Sequence, residues 1–469
     1  MNQIAQSLFR TAAILLVLGA AAARGATVLT ATFQEGDGNG YAGTADTWTG
    51  NGANNGNDPF LYFGRKNTPL YTYNPAIRFD NAITTLPANS FILKASLTLT
   101  RSDGTAPSPA TESGNLVGGL HRPSGAWTES STSIGTTGNR YTHLRSAFGP
   151  TPWPNGGVAR SLDITPFARG WKAGTIPNNG VSFQDSGNLV TDLAVHSSEA
   201  ATVANRPMLS VQYVVPDANE QIVVLSGTSS LTDTWINSAL AANNTNYGAA
   251  NTVQIGRNQP DGGGFGNGLI RFDVAAGLTA ALGATYNDPT KYDFKDAYMG
   301  FMYDGNQSNV NDNFEARPLS AAATWTEGGA TWNTRDGANA WPAPWVAGGV
   351  PAGANVTGGP ETLVQGALWN PSFNPSISGM NLWDVDTTVE NYIYGFWANN
   401  GWVVPGYSGT SGNLSGPWSS EGADFLQGGP FLIVIMEQIP PVPEPSTLAL
   451  LGLGTIGLAI RQRRRRTAA

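Results

Sequence analysis

Apolar and polar positions alternate with a period of two over the best-defined segments of the chain. In residues 91–100, Leu97 and Leu99 face one way and Thr98 and Thr100 the other, which predicts a strand with one buried face. Strands are predicted likewise over residues 27–33, 75–80 and 208–215. Residues 431–436 are apolar throughout and predict a buried closing strand. Residues 164–171 predict one helical turn, with Thr165 as N-cap and Pro166 at the first helical position, and residues 385–392 suit the same turn. A Gly/Asn-rich loop is predicted over residues 36–57. Amphipathic stretches rich in Lys, Glu and Leu are nearly absent, so the pattern predicts an all-β protein.

The pattern also repeats. Ile77-Arg78-Phe79-Asp80 returns as Ile270-Arg271-Phe272-Asp273, and Asp46-Thr47-Trp48 as Asp233-Thr234-Trp235. Trp127-Thr128-Glu129 is echoed by Trp325-Thr326-Glu327, and Leu162-Asp163-Ile164 by Trp383-Asp384-Val385. Asn178-Asn179-Gly180-Val181 corresponds to Asn399-Asn400-Gly401-Trp402. The order never breaks, and Asp163 to Asn178 spans 15 positions, as does Asp384 to Asn399. These echoes predict two tandem antiparallel β-sandwich domains, jelly-roll-like, over residues 27–215 and 216–439. The second is longer by an insert over residues 333–375, rich in Gly, Pro, Ala and Trp, which reads as ordered surface loops.

Composition narrows the chemistry. Among 469 residues there are 58 glycines and no cysteine, so disulfides, thiolate metal sites and cysteine nucleophiles are excluded. Arg10, Arg24 and five tail arginines are seven of the 25 basic residues, and Glu444 is one of the 33 acidic ones. The body between the ends is therefore more acidic than the net charge of −8 suggests. An acidic body argues against nucleic acid and suits cations or neutral sugars.

The two ends carry their own signals. Residues 1–26 read as a secretory signal peptide, with Arg10 before the apolar run 12–18 and small residues toward Ala26. Residues 440–469 open on a stiff proline spacer, continue as an apolar segment over 446–460 that predicts a short membrane helix, and end on an arginine cluster that acts as a positive-inside stop. With Pro443-Glu444-Pro445 ahead of that helix, the arrangement resembles the PEP-CTERM sorting signal of exosortase substrates. The family commonly has Trp three positions after the second proline, where this chain has Leu448. The resemblance implies export across the inner membrane of a Gram-negative-type bacterium. It implies processing by a signal peptidase and an exosortase-type protease, with transient anchoring by the tail and then residence at the cell surface or in the extracellular matrix, as in a biofilm. The two repeated units resemble DNRLRE-type domains, related to carbohydrate-binding modules. Ile77-Arg78-Phe79-Asp80, Trp127-Thr128-Glu129, Leu162-Asp163-Ile164-Thr165 and Arg206-Pro207-Met208-Leu209 carry that resemblance; the second unit has Gly429 in place of Arg206.

Shared residues read first as scaffold. Arg78, Asp80, Trp127, Glu129 and Asp163, with Arg271, Asp273, Trp325, Glu327 and Asp384, form the structural repeat; Arg78 is expected to pair with Asp163 or Glu129, since a buried charge needs a partner. Unshared loops are where ligands are expected. Trp332, Trp341, Trp345, Trp369 and Trp418 are candidates for stacking on the apolar face of a sugar, or else cover the core of the insert. Asp37, Asn39, Asp304 and Asp312 could offer oxygens to calcium, or serve as ordinary turn residues. The histidines His121, His143 and His196 do not recur in the second unit, and the sequence offers no familiar catalytic signature. The expectation is a non-catalytic surface protein binding extracellular polysaccharide, with a structural or adhesive spacer as alternative. A lyase using His121 or His143 with a tyrosine, or a hydrolase with paired carboxylates, is the enzymatic alternative.

Overall fold

The structure is a computed structural model that describes residues 28–50, 52, 55–67, 70–102, 118–143, 153, 157–185, 191–239, 242–257, 264–304, 315–347, 351, 353–365, 378–406 and 429–440. The signal peptide and the sorting segment from residue 441 lie outside them. The fold is all-β and sandwich-like, built from four antiparallel sheets.

Two sheets come from the first half. One has the order β1 (Val28–Gln34), β11 (Met208–Val214), β5 (Phe91–Thr100), β8 (Ala159–Asp163). The other runs β10 (Thr191–His196), β3 (Phe60–Asn67), β4 (Leu70–Phe79), β9 (Val181–Asp185), β6 (Gly118–Pro123), β7 (Thr136–His143), with β2 (Thr44–Thr49) also paired to β4. The second half repeats the plan. One sheet is β12 (Glu220–Ser226), β21 (Phe431–Gln438), β16 (Tyr292–Asp304), β19 (Ser378–Asp384), β18 (Thr362–Gln365). Its partner is β13 (Leu231–Asn237), β15 (Phe265–Phe272), β20 (Trp402–Val404), β17 (Arg317–Pro318), with β14 (Gly256–Arg257) beside β15. Each pair of sheets encloses its own apolar core, one around Phe79, Leu97 and Phe183, the other around Phe272, Phe301 and Val434.

The two halves match at the level of single hydrogen bonds. Asp46 lies opposite Ile77, and Asp233 opposite Ile270; Ile77 in turn lies opposite Val181, and Ile270 opposite Trp402. Arg78 donates to the Trp127 carbonyl, and Arg271 to that of Trp325; each guanidinium lies 5.0 Å from its indole. Trp127 and Trp325 donate through Nε1 at 2.8 Å to the carbonyls of Asn179 and Asn400. Gly180 and Gly401 both sit at φ +75°, where a Cβ would fall 2.1 Å from the carbonyl oxygen of Ile77 or Ile270. Only glycine fits that approach, which explains the repeated Asn-Asn-Gly.

Several expectations need correction. Arg78 pairs with Asp80, through Nε to Oδ1 at 2.5 Å and Nη2 to Oδ2 at 3.0 Å, and not with Asp163 or Glu129. Asp80 follows β4 directly, two residues beyond Arg78, and the guanidinium fork reaches it first. The loop expected over 36–57 contains β2, a strand of mostly polar residues that is nonetheless buried because its backbone completes the sheet beside β4. Thr165 is the first residue of α1 (Thr165–Ala173), not its cap; the cap position is Ile164, and the Asp163 carboxylate accepts the Thr165 amide at 2.9 Å. The Thr165 hydroxyl instead accepts the Ala95 amide of β5. A helix the periodicity did not predict, α2 (Val274–Leu282), follows β15, with Asp273 as its N-cap accepting from the Ala276 amide. The partner of α1 is α3 (Asp386–Ile393). The insert is not loops alone, since β18 joins a sheet.

The run at residues 431–436 is apolar on both faces for a physical reason. Leu432, Val434 and Met436 point into the second core, while Phe431, Ile433 and Ile435 pack with Tyr298, Met380 and Leu382 against Leu93 and Val214 of the first half. Arg169 is fully buried at this seam. It donates to the carbonyls of Ile92 and Leu93 and lies 3.8 Å from the ring of Phe431. Asp163 adds a cross-link, its Oδ2 accepting the Met380 amide at 2.8 Å.

Candidate functional site

The residues singled out in advance fall into three groups. Trp341 and Trp345 are each 6 % exposed and cross edge-to-face at 5.1 Å; with half-buried Trp332 they form a small core for the insert around Leu319, Trp325 and Val356. Packing therefore occupies the faces of Trp341 and Trp345, and they offer no stacking platform. Trp369 and Trp418 lie outside the described residues, as does Asp312, and nothing is described of the Asp304 side chain. The Asp37 carboxylate accepts both the backbone and side-chain amides of Asn39, at 2.8 and 2.9 Å, which is turn geometry. No group of three or more His, Asp or Glu suited to a metal occurs among the described residues. His121 stands on β6 and His143 ends β7, on paired strands of one sheet.

What the sequence did not single out is an open pocket of about 390 Å³ in the second half, at the start of α3. Trp397 walls one side, and Glu361, Asp384, Asp386, Thr387 and Thr388 line the rest. Each is placed by an identifiable local device. The turn after α3 passes through Gly395 at φ +73°, and the amides of Phe396 and Trp397 both return to the Asn391 carbonyl. That turn leaves Trp397 half-buried against Gly358 and Phe396 74 % exposed. Asp384 ends β19 and accepts the Asp386 amide at 3.1 Å. Glu361 leads into β18 and is anchored through one oxygen, which accepts from Thr388 Oγ1 at 2.6 Å and Trp402 Nε1 at 2.7 Å.

The first half places different side chains at the equivalent positions. The same turn is made there by Gly174, Thr175 and Ile176 after α1, with the amides of Thr175 and Ile176 returning to the Gly170 carbonyl. In that register Thr388 stands where the first half has Phe167, Trp397 where it has Ile176, and Trp402 where it has Val181. Phe167 is 1 % exposed and fills the space in the first core. Thr388 is too short to do so, and its hydroxyl ties down a carboxylate instead.

The carboxyls do not share one ordinary ionisation. Burial, with help from Asp296 and Asp384, pushes the Asp386 carboxyl up to about 8, although the Ala297 amide donates to it. Asp386 and Asp296 share a side-chain hydrogen bond. Burial also raises Glu361, with Asp384 adding to it, against the lowering effect of its two hydrogen bonds. A polar rim of carboxyls and hydroxyls beside an indole can hydrogen-bond a polyol while offering its C–H face an aromatic surface.

Comparison with known proteins bears on the ends more than on the pocket. The family model of the PEP-CTERM protein-sorting motif matches residues 441–465. No curated protein matches the chain. Among solved structures, the chain is similar to an f-lectin (fucolectin) from Morone saxatilis (striped bass) serum, at 8 % identity over 89 % of this chain and 97 % of that one. The TM-score is 0.17, too low to inform fold or ligand. No described helix is long and apolar enough to cross a membrane, and residues 446–460 lie outside the described part. The chain thus ends in the sorting motif of an exosortase substrate, which marks an exported protein associated with the cell surface through exosortase sorting.

Proposed function

We propose that this is an exported, non-catalytic surface protein that binds extracellular polysaccharide through the pocket of its second unit. The observation that carries the reading is the pocket between Trp397 and the Glu361, Asp384 and Asp386 carboxyls, opened where Thr388 replaces the Phe167 of the first copy. On this reading the shared residues build two DNRLRE-like sandwiches, and the unshared ones bind. The tail delivers both to the surface of a Gram-negative-type cell or to its biofilm matrix, after transient anchoring and removal by the exosortase. The test is affinity electrophoresis of the protein in gels cast with neutral, acidic or amino polysaccharides. Retardation in at least one gel, lost in Trp397→Ala, supports the reading; equal mobility in all of them overturns it.

A second reading, a structural or adhesive spacer, is favoured by the Arg169 seam, which ties the halves together. The two roles are compatible, because a rigid spacer presents its pocket at a fixed distance from the surface.

A further inference from the structure

Charge differs between the two copies more sharply than shape. In the first copy the residue before Ala95 is Lys94, which is buried near the Asp163 carboxylate. Ala95 and Ala297 are equivalent: each accepts the amide after the β-strand aspartate motif (Ile164 or Val385), and each donates to the first helical side chain (Thr165 or Asp386). The residue before Ala297 is Asp296. The second copy has therefore exchanged an ammonium for a carboxyl, and has gained Asp386 where the first has Thr165. Glu361, brought in by the insert, adds another acid. None of the residues lining the pocket is Lys, Arg or His.

Resting on the polysaccharide reading, we infer that the pocket selects a glycan bearing free amino groups, a deacetylated hexosamine polymer, over uronate-bearing, N-acetylated or neutral glycans. The ligand's ammonium takes the role that Lys94 plays in the first copy. Its charge meets Asp384 and the unanchored oxygen of Glu361, while Trp397 lies against the sugar ring. A cation and an aromatic face together suit an amino sugar better than either a plain polyol or a small metal ion. A uronate brings a further negative charge to an acid-lined pocket, and repulsion of like charges selects against it. An N-acetyl group removes the cation and adds bulk.

Calorimetric titration of the intact protein with four oligosaccharides of equal length separates the outcomes: glucosamine, N-acetylglucosamine, uronate and neutral glucose oligomers, with oligolysine as a charge control. The glucosamine oligomer is expected to bind at least about tenfold more tightly than any other, a gap of about 1.4 kcal/mol. Asp384→Asn keeps the acceptor for the Asp386 amide, and Glu361→Gln keeps that for Thr388 and Trp402. Each should fold normally by thermal melt and lose most of that preference. Equal or tighter binding of the acetylated, uronate or neutral oligomer would sink the inference and leave the polysaccharide reading standing. Oligolysine matching the glucosamine oligomer would reduce the effect to bulk charge and overturn it as well. No binding of any glycan would remove both.

Discussion

Gly401 and Asp386 set the limits of what a single residue does in this molecule. Gly401 permits an approach that any Cβ would block, 2.1 Å from the Ile270 carbonyl oxygen, at a φ of +75°. Gly401→Ala should therefore cost about 3 kcal/mol in denaturant unfolding, and Gly180→Ala a similar amount, since the two sites are copies. A loss under about 0.5 kcal/mol at either position would show that the turn relaxes freely. Asp386 acts through the burial of its carboxyl. Its value is raised to about 8 in the folded chain, so the stability it contributes is fully present below the ordinary carboxylate range and is lost as pH rises toward and through 8. Asp386→Asn should flatten the fall in melting temperature between pH 5 and 8; an unchanged slope would place the titration elsewhere.

Elements differ in how openly the sequence declares them. β5 was legible over Ser96 to Leu99, where buried Leu97 and Leu99 alternate with half-buried Ser96 and Thr98; Ile92 to Ala95 are buried throughout. β2 was hidden because four of its buried residues, Thr44, Asp46, Thr47 and Thr49, are polar; the Thr49 hydroxyl donates to the Asn74 carbonyl and the Asp46 carboxylate accepts the Ser198 amide. α2 was missed although Asp273 before an Ala-rich run was a readable cap. The register of the two copies was legible from Asp163, Asp384 and the Asn-Asn-Gly pairs, and it held the clue to the pocket. Thr388 opposite Phe167 is a large-to-small exchange inside an otherwise apolar helix face, but its meaning depends on Glu361, which arrives from an insert with no counterpart to align. The insert's tryptophans misled for the opposite reason: a segment with little regular structure needs large rings to make any core. Trp341→Ala should accordingly destabilise the second unit by roughly 3 kcal/mol, in the range of large core truncations, without altering glycan retardation. Retardation lost while stability is kept would return Trp341 to the binding site.

At the scale of the whole molecule, the two sandwiches are joined by a buried seam as well as by the chain. Ile433 and Ile435 lose their outer face to the first half, and Arg169 is held between Phe91 and Phe431 by ring contacts and by the carbonyls of Ile92 and Leu93. Calorimetric unfolding is expected to be a single transition. Arg169→Ala, which removes a buried cation from its acceptors, should cost roughly 3 kcal/mol and split the transition in two. Two transitions in the unaltered protein would mean that the seam couples nothing.

The most direct measurement is to fill the pocket with the side chain that the first half has at the equivalent position. Thr388→Phe restores the side chain found at Phe167, in a register fixed by matching hydrogen bonds on both sides. In affinity electrophoresis, the unaltered protein should be retarded by a polysaccharide gel and Thr388→Phe should run as it does without glycan, its fold intact by circular dichroism. Undiminished retardation of a folded Thr388→Phe protein would contradict the assignment of binding to this pocket.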